Sequence, residues 1–144
     1  MNLDTKGVED TLKKISDFME EKGVVKNGEE LFKKLLDREK LGSTALPGGI
    51  AVPHCKLKEL KEPQLCIAIS REGVDFNSSD GNLSYVFFTA VSPVDLPNVH
   101  LQLLAAIARL AREGKKRLIE KLIEAKSERE VLQIIEEEEN KYEL

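Results

Sequence analysis

Leu65-Cys66-Ile67-Ala68-Ile69 and Tyr85-Val86-Phe87-Phe88-Thr89-Ala90-Val91 are continuous apolar runs. Both are short, and the second is rich in β-branched and aromatic residues. They read as strands, and unbroken rather than alternating apolarity predicts strands covered on both faces. Asp75-Phe76 and Asp80-Gly81-Asn82 punctuate the stretch between them, which predicts a hairpin and so an antiparallel pair. Two covered faces require helices on both sides, and the flanking sequence offers them. On the N-terminal side, Val8, Leu12, Ile15, Phe18 and Met19 recur at helical spacing, giving a helix over 8–22 that Gly23 ends. Asn27 with Glu30 reads as an N-cap with a capping-box carboxylate, opening a second helix that runs to about Lys40. Gly42 to Gly49 is a turn-rich loop, and Ile50-Ala51-Val52 is a buried strand that stops at Pro53.

On the C-terminal side the helical period returns after Pro93 and Pro97. Leu101, Leu104, Ala105, Ala108 and Leu110 line one face, widened by Leu103 and Ile107. Asn98 is the expected N-cap, and Gly114 the expected end. Leu118, Ile119, Leu122 and Ile123 support a short following helix. Ser127-Glu128-Arg129-Glu130 is a capping box for a last one, whose Glu136–Glu139 run reads as a solvated end. The expected fold class is therefore α/β, with a mixed (parallel and antiparallel) sheet sandwiched between helices, in a single domain spanning residues 1–144.

Composition narrows the function. Lys and Arg number 22 against 26 Asp and Glu, a formal net charge of −4, and aromatics are 5%. Nucleic acid is excluded as the main partner, because phosphate backbones call for a concentrated basic face and exposed bases for aromatic platforms. No apolar run approaches the roughly 18 residues of a membrane span, so no direct membrane insertion is expected. The start, MNLDTKGVEDTLKK, has no leader character, and two cysteines make no disulfide framework. A cytoplasmic protein is expected. Neither GxGxxG nor GxxxxGK[ST] occurs, and no cofactor is expected.

The reactive inventory is short: His54, His100, Cys55 and Cys66, with nearby Arg38. His54 follows a strand end beside a Gly-rich loop, where α/β proteins place their sites. Pro53 stiffens its approach, although a histidine in a loop can equally be a plain surface residue. His100 falls in the first turn of a helix. Free N–H groups there favour an anion and disfavour imidazolium, although a histidine there can simply serve its own helix. Arg38 closes the second helix, ordinary for a cation at a C-terminus, but the loop after it leads to His54. Two imidazoles and a guanidinium fork suit phosphoryl chemistry on histidine: a neutral ring nitrogen attacks phosphorus while the fork neutralises the oxygens. Two rival chemistries use the same residues. Zinc would take both histidines and a Cys or carboxylate, but no close ligand pair such as HxxxH or CxxC occurs. A Cys55 thiolate would use His100 as base, yet alternation along an extended segment turns Cys55 away from His54. Cys66, inside an apolar strand, reads as core.

The string Leu36-Asp37-Arg38-Glu39-Lys40-Leu41-Gly42-Ser43-Thr44, then Gly49-Ile50-Ala51-Val52-Pro53-His54, resembles the signature of type-2 EIIA domains. These belong to the bacterial phosphoenolpyruvate-dependent sugar phosphotransferase system, in its fructose, mannitol and nitrogen-regulatory class. Gly73-Val74-Asp75-Phe76, Asp80-Gly81, His100-Leu101-Gln102-Leu103-Leu104 and Ala125-Lys126-Ser127 extend the likeness over about residues 5–138. The resemblance implies that His54 is phosphorylated, that Arg38 contacts the phosphoryl group and that His100 orients the first histidine. It implies the phosphocarrier HPr, or its nitrogen-branch homologue, as donor, and a cysteine on a IIB domain or a regulatory target as recipient. A regulatory module switched by phosphorylation, with no role in sugar transport, stays open beside the carrier reading. Cys55 stands where many relatives have Gly, and Pro47-Gly48-Gly49 replaces the loop carboxylate of some mannitol members. The Pro53–Leu57 and His100–Arg109 stretches look closer to the nitrogen-regulatory subgroup.

Overall fold

The computed structural model describes residues 1–142. In chain order the elements are β1 Asn2–Leu3, α1 Val8–Glu21, α2 Gly28–Lys40, β2 Ala45–Leu46, β3 Ile50–Ala51, β4 His54–Leu57, β5 Gln64–Val74, β6 Ser84–Pro93, α3 Pro97–Glu124 and α4 Glu128–Tyr142. The sheet order is β1-β5-β6-β3-β2, and β4 also pairs with β6. β5 and β6 are antiparallel, while β1 with β5 and both β3 and β4 with β6 are parallel. The sheet is mixed, as a hairpin between doubly covered strands requires.

The apolar runs of β5 and β6 are unbroken because each strand feeds two cores. Cys66, Ala68, Phe87 and Val91 join Leu12, Ile15, Leu31 and Leu35 in a core under α1 and α2. Ile69, Val86, Phe88 and Ala90 join Ile107, Leu110, Leu118 and Leu122 in a second core under α3 and α4. Alternate side chains along one strand thus point to opposite layers.

Local chemistry sets the helix ends. At the end of α1, Gly23 takes φ +76, Gly23 N–H donates to Glu20 O and Val24 N–H to Met19 O, the paired closure that a left-handed residue permits. Asn27 Oδ1 accepts from Glu30 N–H at 3.1 Å and starts α2. Ser127 Oγ accepts from Glu130 N–H, and the Glu130 carboxylate returns to Lys126 N–H, so the capping box of α4 forms with its return bond one residue early.

Several expectations change. β1 carries no apolar period and exists because Ile69 N–H donates to Met1 O beside β5. The turn-rich loop holds a small hairpin, with β2 antiparallel to β3. The N-cap of α3 is Leu96, with Pro97 at the first helical position, so Asn98 lies inside the helix. The helices on either side of Gly114 form one broken rod, interrupted at Lys115 (φ 49, ψ −145). Glu138, expected in a solvated end, is 1% exposed and held by Arg117.

The strand that ends at Pro53 resumes at once, and this restart positions the site. Ile50 pairs with Val86, Ala51 with Phe87 and His54 with Ala90, so the register is the same on both sides of the interruption. Val52 N–H turns to Thr44 O, and Pro53 has no N–H, while Pro53 O accepts from Ala90 N–H. His54 is therefore the first residue of β4 and not a loop residue. A rigid strand restart presents its side chain.

Candidate functional site

The break in the strand aims His54 at its neighbours. Its Nδ1 lies 2.8 Å from Val52 O. A carbonyl can only accept, so Nδ1 carries the proton and Nε2 keeps a lone pair. The local backbone explains the contact: the residue before Pro is held extended, and its carbonyl stays beside the ring two residues on. Arg38, in the last turn of α2, donates from Nε to that His54 Nε2 at 3.2 Å, and from Nη1 to Gly42 O at 2.9 Å. The second bond caps a carbonyl just past the helix end and fixes the guanidinium plane. Burial lowers the His54 imidazole from its ordinary value near 6.5, the Val52 bond opposes that shift, and the Arg38 charge adds to it. The ring is neutral at pH 7, and its Nε2 lone pair accepts the Arg38 N–H.

His100 enters from the opposite layer, in the first turn of α3. The ring centroids of His54 and His100 are 5.6 Å apart, tilted by 50°. His100 is 4% exposed, and its Nδ1 lies 2.7 Å from Ser92 Oγ. Burial again lowers its imidazole, followed by the charges of His54 and Lys56. His100 thus sits beside the first N–H groups of α3, which lack helical acceptors.

Structure thus brings together the three residues singled out from sequence, and it adds supports that sequence reading missed. Glu39 turns its carboxylate under the following loop, accepting from Thr44 N–H at 3.0 Å and from the Thr44 hydroxyl. Burial raises that carboxyl above its ordinary value, against the Thr44 bonds and the Arg38 charge. The Gly42–Thr44 turn, and with it the Arg38 anchor, is held in place. No spacing rule points to Glu39. Ser92 had one available signal, as a hydroxyl directly after the apolar run of β6.

Both rival chemistries fare differently in three dimensions. Cys55 packs with the core under α1 and α2, on the face away from His54. Burial pushes its thiol up to about 12, and that of Cys66 to about 11, so neither is a thiolate near neutral pH. Among the described residues no group of three His, Cys, Asp or Glu side chains is placed to hold a metal ion. No helix among them is long and apolar enough to cross a membrane.

Comparison with known proteins adds a family. The family described as "Phosphoenolpyruvate-dependent sugar phosphotransferase system, EIIA 2" matches residues 1–138. The chain is 27% identical over 135 residues to the PTS system fructose-specific EIIABC component of Bacillus subtilis, covering 94% of this chain and 21% of that one. It is 40% identical over 87 residues to the nitrogen regulatory protein of Bradyrhizobium diazoefficiens, covering 60% and 57%. It thus spans about a fifth and just over half of those relatives' lengths. The crystal structure of nitrogen regulatory protein IIA-Ntr from Neisseria meningitidis superposes with a TM-score of 0.81 at 26% identity, over 94% of this chain and 90% of that one.

Proposed function

Because the chain belongs to the EIIA type-2 family of the phosphoenolpyruvate-dependent sugar phosphotransferase system, we propose that it carries the phosphoryl group on Nε2 of His54. The donor is the phosphocarrier HPr or its nitrogen-branch homologue, and the exchange takes place in the cytoplasm. The single observation that carries this reading is the doubly tied ring: Nδ1–H donates to Val52 O, while Nε2 faces the Arg38 guanidinium at 3.2 Å. In the transfer, the Nε2 lone pair forms the new P–N bond as the donor's own bond to phosphorus breaks. Positive charge developing on the ring is met at Nδ1–H by the Val52 carbonyl. Negative charge on the phosphoryl oxygens is met by Arg38 and the start of α3. The group is then passed to an attacking thiolate on a IIB cysteine. The Bacillus subtilis relative, named an EIIABC component, supports that recipient. Leu41, Val94, Leu96 and Leu101, all exposed and flanking Arg38 or His100 in sequence, supply apolar surface for protein partners.

A second reading uses the same chemistry as a signal. The relative sharing 40% identity is named a nitrogen regulatory protein. A phosphoryl group adds about −1.5 to −2 charge, enough to change which partner that apolar rim accepts. Incubation with labelled phosphoenolpyruvate and the two general phosphotransferase proteins is expected to place one label on the chain, lost in His54→Ala. Label surviving in His54→Ala overturns the assignment. Onward transfer to a IIB domain then separates the two readings.

A further inference from the structure

We propose that Ser92 is a positioning residue of this site, fixing His100 in the tautomer that presents an Nε2–H donor to a phosphoryl group on His54. The inference rests on the carrier reading and adds the state of the second histidine. Ser92 is fully buried. Its Oγ lies 2.7 Å from His100 Nδ1, its hydrogen-bond partner among the described residues. A buried hydroxyl proton left without an acceptor is costly. Were Nδ1–H to donate to Oγ, the Ser92 proton would have nowhere to go. With Ser92 donating and His100 Nδ1 accepting, both groups are satisfied, and the neutral ring then holds its proton on Nε2.

His54 is tied the other way, with its proton on Nδ1 and its lone pair on Nε2. The two rings, 5.6 Å apart, sit in opposite tautomers. One offers to phosphorus the Nε2 lone pair that Arg38 holds at rest, and the other offers an N–H to the phosphoryl oxygens. The reverse tautomer of His100 would set a second lone pair against an anion. Strand register explains how one serine serves this end. Ala90 pairs with His54 and Ser92 with Lys56, so Ser92 lies two residues beyond Ala90 on the same face of β6, the face that meets α3.

Nitrogen-15 histidine spectra of the unphosphorylated protein above pH 7.5 test the tautomer without any donor. The expected result is His100 protonated on Nε2 in the wild type, moving toward Nδ1 in Ser92→Ala. Potassium phosphoramidate then serves as a small chemical donor. We expect His54 to be labelled about tenfold more slowly in Ser92→Ala, below the full cost of deleting a transition-state donor, with Ser92→Thr restoring most of the rate. A wild-type His100 proton on Nδ1, or wild-type labelling by Ser92→Ala, overturns the proposal. Should Ser92→Ala fail to fold, as thermal melting would show, the wild-type spectrum decides alone. Absence of label on the wild-type chain overturns the carrier reading instead, and the spectrum tells the two failures apart.

Discussion

At the scale of single residues, the proposed chemistry depends on two imidazoles that are kept neutral. Burial is the leading cause at both His54 and His100, and each imidazole sits below its ordinary value near 6.5. The same fact has a thermodynamic consequence. Below pH 6.5 the unfolded chain begins to bind protons that the fold still refuses. Stability from this source is complete above pH 6.5 and drains away as pH falls toward the lower native values. Each histidine contributes at most about 1.4 kcal/mol per pH unit inside its window. Glu39 acts in the opposite sense, since burial raises its carboxyl and its window opens upward from the ordinary carboxylate value of 4.5. Urea unfolding at pH 7.5, 6.5 and 5.5 is therefore expected to show a falling midpoint with little change in slope. His54→Gln with His100→Gln should flatten the profile, and a flat wild-type profile over this range rules the coupling out.

Among the elements, α3 is where sequence and structure part most usefully. The apolar period predicts two helices separated at Gly114, because glycine commonly ends helices in the left-handed region. The break is there, but the residue with positive φ is Lys115, at φ 49 and ψ −145. Gly114 serves a different need: a Cβ on it would stand 2.7 Å from Leu118 Cβ and 2.8 Å from Leu118 Cδ2. Periodicity locates the boundary and cannot tell close approach from backbone conformation, which depends on how the second half of α3 folds against the first. Opposite outcomes are expected for these adjacent residues. Lys115→Gly relieves a conformation that costs a non-glycine residue about 1–3 kcal/mol, and is expected to stabilise by about 1 kcal/mol after the entropy cost of glycine. Gly114→Ala forces Leu118 to move and is expected to destabilise by about 1–3 kcal/mol. Chemical denaturation of the two variants checks both signs. The strand stopped at Pro53 is a second such case. A proline without N–H was legible as an end, but the restart at His54 is set by β6, since only β6 can hold Ile50–Ala51 and His54–Leu57 in one register.

Across the whole molecule, composition and pattern were enough for the layers, since a sheet with unbroken apolar strands must be covered twice. They did not show what ties the outermost helix down. Charge runs are usually solvated, and Glu136–Glu139 gives no periodic sign that one member turns inward. Glu138 does so because α3 brings two cations to it and its own helix a third: Arg117 Nη2 at 3.0 and 3.1 Å from its two oxygens, Lys121 Nζ at 3.9 Å, and Lys141 Nζ at 3.4 Å. Burial pushes this carboxyl up, and the Arg117 and Lys141 contacts more than cancel the effect, leaving it below its ordinary value. Breaking a fully buried ion pair costs about 3–5 kcal/mol. Here the cations are about half exposed while the carboxylate is 1% exposed, so water screens part of the attraction. Glu138→Gln is therefore expected to cost about 1–3 kcal/mol. The loss should be local first, because α4 packs mainly on α3. Amide hydrogen exchange is expected to quicken across Glu128–Tyr142 while the β5–β6 pair stays protected. Phosphoryl labelling of His54 should keep its wild-type rate. Slowed labelling in this variant would mean that the helices on this face position the site, and that the anchoring of α4 reaches His100 through α3.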